Sequence, residues 1–318
     1  MVRWLPPAPQ GEQIPAMRRV VLATAVGALA VVTGWWLWTG RPARYGELAQ
    51  AAVTDDSSPD PSYHLQRVML TTTTGRQVSC ALRMPTREAA NPSLGVLVLG
   101  GIGTGRRAAT LVAPDFAGLV LSCDYPWRDP SALSLLRFLI ALPAIRRDVL
   151  GTPEALRIGA SYLLSRPDVD RTRLAAVGAS LGVPSVSAWA SRDHRVAAVA
   201  LVMGGADLAE LFAANLGGQV HAPVLRRPVA ALLAWLLRPL EPARTVGLIA
   251  PRPVLIVGAL GDERIPRRST ALLYAAAREP KGIQWFAGRH MLPRDTTLLK
   301  AITDSTFAWV SQHLVGRP

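Results

Sequence analysis

Six short, continuous apolar runs constrain this chain more than any other feature. They occupy residues 95–99, 118–123, 174–177, 197–202, 254–257 and 283–286. Runs of this length suit strands buried on both faces, and most of the intervals between them are long enough for a helix. The alternation predicts an α/β fold: a mostly parallel sheet of about eight strands with helices on both faces. Residues 65–71 and 77–84 flank Thr-Thr-Thr-Gly-Arg and add an antiparallel hairpin ahead of the parallel part. Helices are expected at 152–164, closed by Arg166-Pro167, and at 298–314.

The run at 174–177 leads directly into Gly178-Ala179-Ser180-Leu181-Gly182. A strand followed by Gly-x-Ser-x-Gly puts the serine on a tight strand-to-helix turn, where glycines on either side relieve crowding around a strained backbone. Ser180 is therefore the candidate nucleophile. A serine hydroxyl is a poor nucleophile at neutral pH, so it needs an imidazole to take its proton and a carboxylate to orient that imidazole. Both occur downstream at equivalent places. Asp262 follows the run at 254–257, and His290 follows the run at 283–286. In an open sheet of this kind the carboxyl ends of the strands converge on one crevice. Glu263 is the substitute acid. The first helical turn after the serine presents unpaired amides, so the N–H of Leu181 is a candidate donor to an oxyanion.

These motifs together resemble an α/β-hydrolase: the hairpin, the strand ending Leu99-Gly100-Gly101-Ile102-Gly103, the Gly-Ala-Ser-Leu-Gly elbow, and the Gly-Ala-Leu-Gly-Asp and Gly-Arg-His segments. With Arg-Pro-Asp-Val-Asp-Arg-Thr-Arg-Leu-Ala-Ala-Val-Gly from Arg166 onward, the chain is most similar to the branch of dienelactone hydrolases, prolyl-oligopeptidase-type domains and related esterases and thioesterases. The resemblance covers residues 63–318. It implies Ser180 as nucleophile, Asp262 as orienting acid and His290 as base. It also implies a second oxyanion donor from the loop after Leu99, at Ile102 or the adjacent Gly101. Cys80 and Cys123 are read first as buried small apolar residues. In such a fold the second hairpin strand neighbours the strand holding Cys123, so the resemblance brings the two near each other, and a disulfide is the alternative if the domain is extracytoplasmic.

Residues 20–40 carry no charged side chain, and Trp35, Trp36 and Trp38 cluster at their far end. As a helix this stretch would span ~31 Å, the thickness of a bilayer's hydrocarbon core. The expectation is a single-pass membrane anchor over 1–45, a flexible tether over 46–62 and a folded domain over 63–318. Arg3, Arg18 and Arg19 before the stretch place the folded domain on the extracytoplasmic side. The interval 207–247 is too long for a plain crossover. Leu225, Val229, Leu232, Leu233 and Leu236 make one apolar helical face there, read either as a packed helix or as a helical lid.

The 35 basic residues outnumber the 22 acidic ones, but the excess is scattered arginine without basic runs or stacking aromatics, so nucleic acid is not an expected partner. No Walker or dinucleotide glycine loop and no metal-ligand spacing occurs, so no cofactor or metal is expected. The expectation is a membrane-anchored serine hydrolase of a lipophilic carboxylic ester or thioester. The alternatives are a serine peptidase or acyltransferase on the same fold, and a non-catalytic membrane-tethered binding protein.

Overall fold

The computed structural model describes residues 40–86, 92–101, 103–127, 135–292 and 295–314, together with Gly27, Thr33 and Gly34. Among these, nine strands form one sheet in the order β1-β2-β3-β5-β4-β6-β7-β8-β9. They are β1 Leu48–Asp56, β2 Tyr63–Thr72, β3 Gln77–Pro85, β4 Ser93–Leu99, β5 Leu119–Cys123, β6 Val169–Ala179, β7 Val196–Val202, β8 Val254–Ala259 and β9 Lys281–Phe286. The pairs β1–β2, β2–β3 and β3–β5 are antiparallel, and every later pair is parallel. Each of the six apolar runs falls in one of β4 to β9, where side chains alternate between two cores. Leu97, Leu99, Val199, Leu201 and Ile256 face one core, whereas Val96, Val98, Ala200, Val202 and Val257 face the other.

Helices cover both faces. On the first lie α1 Leu135–Ser165, α2 Gly182–Ala190 and α6 Arg267–Ala276, through Ile158, Leu163, Val186, Trp189 and Leu273. On the second lies α7 Thr296–Leu314, through Ile302, Phe307, Val310 and Leu314. Between β7 and β8 come α3 Leu208–Asn215, α4 Pro223–Leu236 and the short α5 Pro242–Thr245. Helix α1 starts well before the expected 152: it runs through Pro143 and Pro153 for 31 residues. Each proline removes only one amide donor, and packing of the flanking turns holds the helix across both.

Two expectations are corrected here. The flexible tether over 46–62 instead contains β1, which raises the strand count from about eight to nine. Its side chains are almost all exposed, and it is held by backbone pairing with β2 from Leu48↔Thr72 to Asp56↔Leu65. Such an edge strand leaves no apolar signature. The folded part also begins earlier than residue 63, because Ala43 and Tyr45 are buried beneath α1 against Gly151. The Gly40 carbonyl accepts from Arg146 Nη1.

The second correction concerns the membrane. No helix among the described residues is long and apolar enough to cross one. The longest, α1, carries Arg137, Arg146, Arg147, Asp148, Glu154 and Arg157, and burying those charges in hydrocarbon is prohibitive. The expected span at 20–40 lies outside the described residues apart from Gly27, Thr33, Gly34 and Gly40. The single-pass anchor, the membrane as partner and the extracytoplasmic placement of the domain therefore all drop out of the functional reading.

Cys80 of β3 stands opposite Cys123 of β5 in the ladder, and the two form a disulfide buried in the first core. Its closed loop contains β4, whose carboxyl end reaches the nucleophile turn. Cross-linking residues 43 apart restricts the unfolded chain and is worth about 2–4 kcal/mol. Reduced and alkylated protein is expected to unfold at a lower urea midpoint than the oxidised protein, with an unfolding free energy smaller by that amount. Coincident curves would show that the bond does not constrain the unfolded state.

Candidate active site

Strand β6 delivers Ser180 and hands over to α2 without a linker. Ser180 has φ +52°, a left-handed conformation that β-carbon-bearing residues seldom adopt. Its N–H donates to the Val202 carbonyl at 2.8 Å, and its carbonyl accepts from Val183 N–H at 3.1 Å. Both flanking glycines are required by contact. A β-carbon at Gly178 would stand 2.9 Å from Val186 Cβ, and one at Gly182 would stand 2.1 Å from the Leu99 carbonyl oxygen.

Past the ends of β8 and β9, two loops are zipped together. Leu260 N–H donates to the Phe286 carbonyl, and Gly261 N–H to the Gly288 carbonyl, both at 2.9 Å. A β-carbon at Gly261 would lie 2.9 Å from that same Gly288 oxygen. This pairing brings Asp262 alongside His290. The His290 Nδ1 lies 2.8 and 3.0 Å from the two Asp262 carboxylate oxygens, and its Nε2 lies 3.0 Å from Ser180 Oγ. The Asp262 and His290 side chains are 2 % and 3 % exposed. Asp262 Oδ1 also accepts the amides of Arg264 and Ile265 at 2.8 Å each. A carboxylate so supplied with donors acts as an acceptor, so the imidazole proton belongs on Nδ1 and Nε2 is left free to accept from the serine hydroxyl.

Around Ser180 the backbone comes close. A β-carbon on Gly101 would sit 3.4 Å from Ser180 Cβ and 3.7 Å from its Oγ, so the loop after β4 passes in van der Waals contact with the nucleophile. Leu181 precedes the first residue of α2, where the fold leaves amides without a carbonyl one turn back. Ile102 lies outside the described residues.

Two side chains that the sequence did not single out hold this loop. Tyr125 Oη donates to the Gly100 carbonyl at 2.6 Å, and Thr104 Oγ1 donates to the Gly101 carbonyl at 2.7 Å. Burial pushes the Tyr125 hydroxyl far above its usual range, so it remains a proton donor. Neither interaction leaves a motif, because each acceptor is a backbone carbonyl. Glu263, read from sequence as the substitute acid, does not touch the imidazole. Its Oε2 accepts the backbone N–H of His290 at 3.0 Å.

The 207–247 interval starts from the carboxyl end of β7, next to the nucleophile strand. Glu241 closes it by accepting the amides of Asp207 and Leu208 at 2.9 and 2.8 Å. Asn215 Nδ2 ties α3 to the Arg264 carbonyl, two residues beyond Asp262, at 2.8 Å. Helix α4 buries Ala230 and Leu236, while Val224, Leu225, Leu232 and Trp235 are exposed. The expected single apolar face is thus divided between the domain and the outside, since α4 is apolar on more than one side. No group of His, Cys, Asp and Glu that could hold a metal occurs among the described residues.

The fold resembles that of α/β-hydrolase-type esterases. No protein-family model matches the chain, and no curated protein matches it. Solved structures do. Acetyl xylan esterase 1 from Thermoanaerobacterium sp. JW/SL YS485 is 16% identical with a TM-score of 0.59, over 88% of this chain and 93% of that one. A hypothetical protein from Pseudomonas aeruginosa is 15% identical with a TM-score of 0.61, over 84% and 100%. The 2,6-dihydroxy-pseudo-oxynicotine hydrolase is 19% identical with a TM-score of 0.58, over 78% and 68%. Likeness at these identities is likeness of fold.

Proposed function

We propose that this chain is a serine hydrolase of a carboxylic ester or thioester, with Ser180 as nucleophile, His290 as base and Asp262 as orienting acid. The observation that carries this reading is the continuous chain of contacts from the Asp262 carboxylate through both ring nitrogens of His290 to Ser180 Oγ. Ser180 Oγ attacks the substrate carbonyl as its proton passes to Nε2. The imidazolium then returns that proton to the departing alcohol or thiol, leaving an acyl-enzyme. Water, deprotonated by the same nitrogen, releases the acid. The tetrahedral oxyanion is received by the amide of Leu181 and by one from the loop after β4, that of Gly101 or Ile102. Within the α/β-hydrolases, the motif from Arg166 to Gly178 supports the dienelactone hydrolase and prolyl-oligopeptidase-like branch.

The 207–247 interval is proposed as a helical lid, because it issues beside the nucleophile strand and is tied to the acid loop through Asn215. A lid as apolar as α4, with Leu225, Val229, Leu232, Leu233 and Trp235, would suit a lipophilic acyl group once closed over the site. A fluorophosphonate probe is expected to label the wild-type protein at Ser180 and to leave Ser180→Ala unlabelled. Nitrophenyl esters of increasing acyl length are expected to give increasing kcat/KM. Labelling that survives Ser180→Ala would sink the serine mechanism, and rates that fall steadily beyond acetyl would remove the lipophilic substrate.

A further inference from the structure

Asp262 and Glu263 are consecutive, and both carboxylates turn toward His290 from different sides. Asp262 meets the imidazole at Nδ1, whereas Glu263 Oε2 receives the residue's backbone N–H. The charged groups facing this histidine are these two acids and Arg289, whose Nε lies 3.6 Å from the same Glu263 oxygen. Hydrogen bonds from the His290 amide and from its own amide hold the Glu263 carboxyl below its usual range, so it is an ionised acceptor at neutral pH. Its side chain is 42 % exposed. Solvent therefore screens its charge, and what it can supply is geometry rather than field.

That geometry is needed. His290 lies beyond the last residue of β9, in a loop that turns at Gly288 with φ +137°. Ring hydrogen bonds fix where the imidazole points once its Cα is in place, but they do not place the Cα. The backbone is held by Leu260 N–H to Phe286 O and Gly261 N–H to Gly288 O before it and by Met291 N–H to Met203 Sδ after it, and at His290 itself by its N–H donating to Glu263. We infer that Glu263 is a positioning residue, which fixes the backbone of the catalytic histidine so that Nε2 stays within reach of Ser180 Oγ.

This inference rests on the serine-hydrolase reading, and its test separates the two. Glu263→Ala is expected to lower kcat about 10-fold with KM changed by less than about 2-fold, because misplacing a base costs rate and not substrate affinity. Glu263→Gln keeps an oxygen for the His290 amide and is expected to recover most of the loss. The low-field proton resonance of His290 Nδ1–H, identified by its disappearance in Asp262→Ala, should broaden or shift in Glu263→Ala and return in Glu263→Gln. If Glu263→Ala does not fold, Glu263→Ser, whose side chain is too short to reach that amide, replaces it. An unchanged kcat and resonance in the short variants would overturn the inference, as would a Glu263→Gln enzyme as slow as Glu263→Ala. Wild-type protein that neither hydrolyses esters nor reacts with fluorophosphonate would instead remove the hydrolase reading, while the resonance still reports on the positioning.

Discussion

If the proposed mechanism holds, Ser180→Ala is expected to lower kcat/KM for any ester substrate by about 10⁵-fold, equivalent to about 7 kcal/mol of transition-state stabilisation. His290→Ala is expected to cost about as much and the double variant little more, because nucleophile and base would act as one unit. Asp262→Asn is expected to lose about 10³- to 10⁴-fold with the fold intact, for a reason visible in the hydrogen bonds. Asp262 Oδ1 already accepts the amides of Arg264 and Ile265, so an asparagine oxygen is retained there and its NH₂ is directed at His290 Nδ1. Nδ1 must then accept, the ring proton moves to Nε2, and the imidazole can no longer take a proton from Ser180. Steady-state kinetics with thermal unfolding of each variant checks this. Comparable rates for wild type and Ser180→Ala, with both folded, would remove Ser180 from the chemistry.

The sequence carries the parallel half of this fold because β4, β5, β7, β8 and the end of β6 are buried on both faces and read as apolar runs, while the half-buried edge strand β9 still keeps Ile283, Trp285 and Phe286. It does not carry β1, whose mostly exposed small and polar residues are held chiefly by backbone pairing with β2 and by the polar pairs Gln66–Asp55 and Arg67–Asp56. It places the start of α1 at 152 rather than at Leu135, because a helix packed along its length continues through Pro143 and Pro153 despite the missing amide donors. The span expected at 20–40 falls almost wholly outside the described residues, whereas the chain from Gly40 onward is part of the domain, with Ala43 and Tyr45 buried in it.

At the site, Ser180, Asp262 and His290 are legible because each stands just past an apolar run, where strand ends converge. Their separations are properties of the two zipped loops and have no counterpart in residue spacing. The supports are still less legible. Tyr125 and Thr104 act on carbonyls of the loop after β4, and Glu263 acts on an amide, so none of the three needs a particular partner residue that a pattern could reveal. The disulfide was reachable only through the strand order that the family resemblance implies. Nothing in the spacing of two cysteines 43 residues apart would pair them.

Gly182→Ala is expected to unfold or severely destabilise the protein, by about 3 kcal/mol or more. The added methyl would stand 2.1 Å from the Leu99 carbonyl oxygen, 3.0 Å from its carbon and 3.3 Å from the Gly100 oxygen. All three are backbone atoms at the end of β4, a strand paired on both sides with β5 and β6, so none can rotate away as a side chain would. Either α2 lifts from the sheet, carrying the Leu181 amide with it, or the loop bearing Gly101 is pushed toward Ser180. Whatever protein remains folded should therefore lose ester hydrolysis beyond its loss of stability. The same substitution at Gly282 of β9 makes the comparison, since its nearest neighbour would be Leu255 Cδ1 at an ordinary 3.7 Å. There, replacing glycine in a strand restricts the unfolded chain at no steric cost and should stabilise by about 0.5 kcal/mol. Urea unfolding of the two variants should thus move in opposite directions from wild type. Equal shifts would mean that the close approach of β4 to the nucleophile turn is not what demands glycine at position 182.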